Sequence, residues 1–115
     1  VLDLDRATAF YTAVLGCTPT RMPSPTGEAD VILAMFGCDG EQRGPGGALI
    51  QGTPLEPSTT GTVLYFGTAD LAASIDRAVA AGGSLLVPRT AIGPHGFFAH
   101  ILDSEGNRIG LHSMS

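Results

Sequence analysis

An internal repeat constrains this chain more than any other feature. Asp3 matches Asp70, Leu4 matches Leu71 and Gly16 matches Gly83, all at one offset of 67 residues. Self-similarity at such a period means two copies of one supersecondary unit, each needing the other to cover its apolar face. In the first copy Leu4, Ala7, Phe10, Tyr11, Val14 and Leu15 recur at i, i+3, i+4 and i+7, the stripe of an amphipathic helix over residues 3–15. Asp3 stands at the N-cap, Asp5 adds negative charge to the first turn, and Gly16 closes the helix. In the second copy Asp70 is the cap, Leu71, Ile75, Ala78, Val79 and Ala81 make the stripe, and Gly82 and Gly83 end it.

Short β-rich runs follow each helix. In the first half these are CTPTRM, VILAMFG over residues 31–37 and ALIQG over residues 48–52; in the second they are SLLVPRT, FFAHIL and RIGLHS. The segments PSPTGEAD, CDGEQRGPGG, TPLEPSTTG, AIGPHG and DSEGN read as the loops and turns between them. The second half also has a strand, TVLYFG, ahead of its helix. At the repeat offset the equivalent strand of the first half precedes Val1, so only Val1 and Leu2 are its expected remnant. The predicted class is α+β, a single domain over residues 1–115 with two βαβββ modules at about 1–52 and 62–115, the first strand largely missing.

At 115 residues the chain can bury one modest core. A net charge of −5 gives no attraction to phosphate backbones or acidic headgroups, so neither nucleic acid nor membrane is an expected partner. The apolar runs are far shorter than the roughly 20 residues of a membrane span. With no basic-then-apolar leader at Val1, the expected location is the cytoplasm. Cys17 and Cys38 lack any Cys/His cluster at metal spacing and are expected to be buried and reduced.

Three segments, VLDLDRATAFYTAVLG, LYFGTADLAASIDRAVAAGG and FFAHILDSEGNRIGLHS with its D-x-x-G-N turn, resemble the vicinal oxygen chelate superfamily, the glyoxalase, bleomycin-resistance and extradiol-dioxygenase group. The resemblance implies curved mixed sheets around a cavity, often completed by a homodimer. It also implies metal ligands on the first strands of the modules and on the last strand. Here those positions are Val63 and Gly110, which have no donor atom, and any ligand on the first module's opening strand precedes Val1. A divalent ion of this class takes about three protein ligands, so the expectation is a divergent member without the usual metal site and without a cofactor.

Strand parity gives a separate account of the closing hairpin. Pairing Leu102 with Arg108 across DSEGN sets His100 opposite Gly110 and Phe98 opposite His112, all on one face, with Ala99, Ile101, Ile109 and Leu111 on the other. The apolar set suits packing under helices. On the strand before Asp70, Leu64 and Phe66 read as core-facing and Tyr65 as reaching into the cavity.

Tyr65, Phe98, His100, Arg108 and His112 are therefore the expected lining of a ligand cavity. Gln51 could orient a ligand through its amide, and His95 sits in a glycine-flanked loop beside the strand carrying His100. His100 is the best candidate for acid–base work, with a pKa near neutrality. The opposing expectation for His100 and His112 is a hydrogen bond to a backbone carbonyl each. Arg89 and Arg108 could receive an anion, with solvation the default for both, while Asp103 is expected to serve turn geometry and Glu105 to be solvated. GPGG over residues 44–47 has no following Lys-Ser/Thr and is no phosphate loop.

The expected function is a small-molecule-binding domain with substrate and reaction open. One alternative is a metal-dependent lyase or dioxygenase using His100 or His112. The other is a drug-sequestering resistance protein, against which the 6% aromatic content and the absence of Trp weigh.

Overall fold

Both helices begin where the sequence places them. The computed structural model describes residues 1–36 and 47–115. Helix α1 spans Leu4–Leu15 with Asp3 as N-cap at φ −137°, ψ 107°, and α2 spans Leu71–Ala80 with Asp70 as N-cap at φ −139°, ψ 105°. In each the cap carboxylate accepts the N–H of the residue three positions on, Arg6 or Ala73, which satisfies one orphan donor of the first turn. Gly16 ends α1 in the left-handed region at φ 74°. After α2 that conformation belongs to Gly82, at φ 102°. Gly83 serves close approach instead, since a Cβ there would come within 2.9 Å of the Phe10 ring and 3.0 Å of the Ala78 carbonyl oxygen.

The strands are β1 (Thr20–Pro23), β2 (Ile32–Phe36), β3 (Gly47–Gln51), β4 (Leu64–Gly67), β5 (Ser84–Ala91), β6 (Phe97–Leu102) and β7 (Arg108–Ser113), with a 3-10 turn at Gly93–His95. The first module gives the antiparallel order β1-β2-β3 and the second the mixed order β4-β7-β6-β5, with β4 parallel to β7. The fold class is α+β, as expected. Cys38, and the expected loop as far as residue 46, lie outside the described residues. Cys17 is half-buried and free.

One core joins the halves. Leu4, Phe10 and Val14 of α1, Leu71 and Ala78 of α2, Leu49 of β3 and Ile101 and Leu111 of the hairpin are all buried. Each of the larger ones contributes about 1.5–3 kcal/mol by leaving water. Tyr11 sits edge-on to Phe10 and Phe36, at ring centroid distances of 5.1 and 6.0 Å.

Polar groups complete the join. Asp103 accepts the backbone N–H groups of Glu105 and Asn107, as a turn aspartate does, and also the Tyr11 hydroxyl at 2.6 Å. Glu105 is buried rather than solvated: it accepts the N–H groups of Leu2 and Asp3 at 2.9 and 2.7 Å and pairs with Arg6 at 2.6 Å. From the other end, Arg77 of α2 donates to the Val14 carbonyl oxygen near the end of α1.

Two apolar residues depart from the expected core. Leu64 is 63% exposed because it begins β4, the edge strand of its sheet. Val79 is 50% exposed, and the buried face of α2 carries Ser74 between Leu71 and Ala78. A serine escapes apolar periodicity, yet burial is tolerable because its hydroxyl bonds Thr68 and Arg77. No helix among the described residues is long and apolar enough to cross a membrane.

Candidate functional site

The β6–β7 hairpin has the register that parity requires, with Phe98 opposite His112, His100 opposite Gly110 and Leu102 opposite Arg108. Ala99, Ile101, Ile109 and Leu111 are buried on the helix side. Phe98, His100, Arg108 and His112 thus share the outer face, all half-buried. Strand β4 adds Tyr65 directly beside Gly110.

The geometry turns on Gly110. A Cβ there would lie 2.7 Å from Cγ of Tyr65 and closer still to Cδ1 and Cε1. The Tyr65 ring therefore fills the space that a side chain at position 110 would need. From there its hydroxyl reaches His100, with Oη and Nε2 2.5 Å apart. Phe98 meets the same imidazole edge-on, at a centroid distance of 5.5 Å. Burial holds the His100 pKa below its ordinary value, and the charge of Arg108 pushes it further the same way. Both effects favour the neutral imidazole.

An open groove of about 500 Å³ lies on this face, lined by Tyr65, Ile92, Phe98 and His112. Ile92 escaped the sequence reading; its only signal is a lone apolar residue between a strand and the GPH turn. His112 Nε2 donates to the His95 carbonyl oxygen at 2.6 Å, tying that turn to the groove floor. His95 thus enters through its backbone, while its side chain belongs to an exposed residue. The expected carbonyl partner is found for His112, whereas His100 bonds the Tyr65 hydroxyl.

The remaining candidates lie elsewhere. Gln51 Oε1 accepts the Leu4 N–H at 2.6 Å, covering an orphan donor at the start of α1. It also borders a separate hollow of about 340 Å³ with Val1, Asp30 and Pro54. Arg89 is exposed, as expected, and stacks its guanidinium 3.6 Å above the Phe97 ring. His100 Nδ1 and Arg108 Nε are buried without a hydrogen-bond partner among the described residues. Among those residues no group of three or more His, Cys, Asp or Glu is arranged to hold a metal ion.

A family model described as the Glyoxalase/Bleomycin resistance protein/Dioxygenase superfamily matches residues 1–111. Among solved structures, glyoxalase I from Zea mays matches with a TM-score of 0.75 at 23% identity, over 99% of this chain and 43% of its own. The chain thus spans less than half of that protein. A glyoxalase/bleomycin resistance protein/dioxygenase family enzyme from Burkholderia phytofirmans matches at 17% identity and TM-score 0.67, over 100% of this chain and 93% of its own. A glyoxalase-related enzyme from Fulvimarina pelagi gives 20% and 0.65, over 98% and 81%. At these identities the likenesses concern the fold. No curated protein matches.

Proposed function

The chain belongs to the Glyoxalase/Bleomycin resistance protein/Dioxygenase superfamily, and from that premise we propose that it binds a small organic molecule in the groove over Tyr65, Ile92, Phe98 and His112 without a divalent ion. The observation that carries this reading is the Tyr65 ring lodged over Gly110 and bonded to His100.

The residues do not fit the metal of the metal-using members. Val63 and Gly110 supply no donor, and Tyr65 occupies the volume into which a carboxylate from position 110 would project. The Nε2 atom of His100 is already engaged. What stands there instead is a phenol and a neutral imidazole in contact with apolar walls. The exposed phenol of such a pair can orient a polar group of a ligand.

Metal analysis of protein purified without chelator, with calorimetric titration of zinc, manganese and nickel, tests the metal half of the proposal. A stoichiometric ion lost on His100→Ala would overturn it. NMR titration with a small-molecule library tests the groove half: shifts are expected to cluster at Tyr65, Ile92, Phe98 and His112, and binding confined to another face would refute it.

A further inference from the structure

We infer that the groove takes an uncharged, largely apolar molecule that donates an N–H or O–H to Nδ1 of His112 while its body lies against Phe98 and Ile92. This rests on the groove reading above and names the ligand chemistry it takes.

The hydrogen on His112 is placed by its partner. Nε2 lies 2.6 Å from the His95 carbonyl oxygen, and a carbonyl oxygen can only accept, so Nε2 carries the proton. In the uncharged ring Nδ1 then holds a lone pair and can only accept. No residue among those described donates to it. The side-chain nitrogens that are both buried and unpartnered among those residues are His100 Nδ1 and Arg108 Nε, so Nδ1 of His112 keeps contact with solvent.

That contact lies on the groove side. Strand β7 runs between β4 and β6, and the other face of the hairpin, with Ala99, Ile101, Ile109 and Leu111, is buried. His112 stands on the outer face beside Phe98, its partner on β6. Its partner on β4 is Gly67, where a Cβ would meet nothing within 4 Å. The glycine leaves that flank of the imidazole open, and the imidazole itself lines the groove. The bond to the His95 turn holds the ring in place, so the acceptor is presented to a ligand already ordered.

The rest of the lining selects the body of the ligand. Tyr65, Ile92 and Phe98 supply apolar surface, and none of the four lining side chains is a carboxylate, an ammonium or a guanidinium. A charged group would shed hydration against Ile92 and Phe98 with no opposite charge on the lining to replace it. A neutral donor gives up less water and gains a bond to Nδ1.

The test uses the unmodified protein first, at pH 8, above the ordinary range of imidazole. Binding of indole is compared with that of N-methylindole, and benzyl alcohol with benzyl methyl ether, by NMR titration; benzoate and benzylamine serve as the charged counterparts. Each donor is expected to bind about three- to tenfold more tightly than its methylated analogue, the net worth of a hydrogen bond, and both charged molecules more weakly than benzyl alcohol. The His112 Nδ1 resonance is expected to move towards the protonated range with indole and to stay in place with N-methylindole. His112→Phe, shown to be folded by its melting curve, is expected to bring the members of each pair within about twofold of one another; should it not fold, the Nδ1 resonance of the unmodified protein decides. Methylated analogues that bind as tightly as the donors, a charged molecule that binds more tightly than benzyl alcohol, or an Nδ1 resonance indifferent to indole overturns this inference and leaves the groove reading standing. If none of the six molecules binds at millimolar concentration, both fall.

Discussion

Gly110→Ala tests whether Tyr65 and His100 are held together by the missing side chain. Gly110 is not among the glycines at positive φ, so alanine fits its backbone. Taken alone, the change gains about 0.5–1 kcal/mol by restricting the unfolded chain. Against this, the new methyl would lie 2.7 Å or less from the Tyr65 ring. Tyr65 is 54% exposed on an edge strand, so it yields by rotating towards solvent. That breaks the hydrogen bond to His100, worth about 0.5–1.5 kcal/mol, and uncovers about half a ring, roughly 1 kcal/mol more. The expected net cost is about 1 kcal/mol, a fall in Tm of roughly 4 °C for a domain of this size. In a Tyr65→Ala background the same substitution has nothing to displace and is neutral or stabilising. Denaturant melts of the four proteins should give a coupling of at least about 1 kcal/mol, and the His100 pKa, followed by NMR, should rise in Gly110→Ala as the imidazole regains water. Additive melts with an unchanged His100 titration would refute the reasoning.

Tyr11→Phe removes the hydroxyl donor from Asp103 while leaving the buried carboxylate in place, so denaturant unfolding should report a loss of about 1–3 kcal/mol. Burial pushes the Glu105 carboxyl up, but hydrogen bonds from Arg6, the Asp3 backbone and Ser104, with the charge of Arg6, outweigh it and bring the folded pKa from 4.5 to about 2. A group depressed on folding adds stability above its unfolded pKa, so melting temperatures should fall as pH drops from about 4.5 towards 2. Glu105→Gln should flatten that fall. His100 is harder to protonate folded than unfolded, so its contribution to stability is lost as pH falls below its ordinary 6.5 towards the lower folded value. Arg108→Gln should raise the His100 pKa only part of the way, because burial is the larger cause, and an unchanged titration would separate Arg108 from the imidazole.

Much of the fold was legible because burial enforces it. Ala99, Ile101, Ile109 and Leu111 could face the helices in one register only, and slipping by one residue would have put His100 among them. The two aspartate caps, with nearly equal dihedral angles, were visible for the same local reason: the carboxylate has a defined donor three residues on. The rest depends on what lies across space. Parity put Tyr65 on the ligand face, but only the parallel pairing of β4 with β7, 45 residues away, sets it against Gly110. Glu105 looked like an ordinary charged turn residue because its partners Leu2, Asp3 and Arg6 are about a hundred positions distant. Leu64 had the right parity and the wrong neighbours, since an edge strand is covered on one flank only.

The Glu105 contacts bear on the order of events during synthesis. Helix α1 leaves the ribosome well ahead of the closing hairpin, yet the N–H groups just before it, and the aromatic hydroxyl it carries at Tyr11, are satisfied by a turn that is translated about a hundred residues later. Until that turn arrives, an early helix has its capping aspartate but neither its distant acceptors nor the hairpin that covers its apolar stripe. The first half is therefore expected to wait on the ribosome in a loosely held form, exposed to chaperones, and to become native only when the closing hairpin emerges.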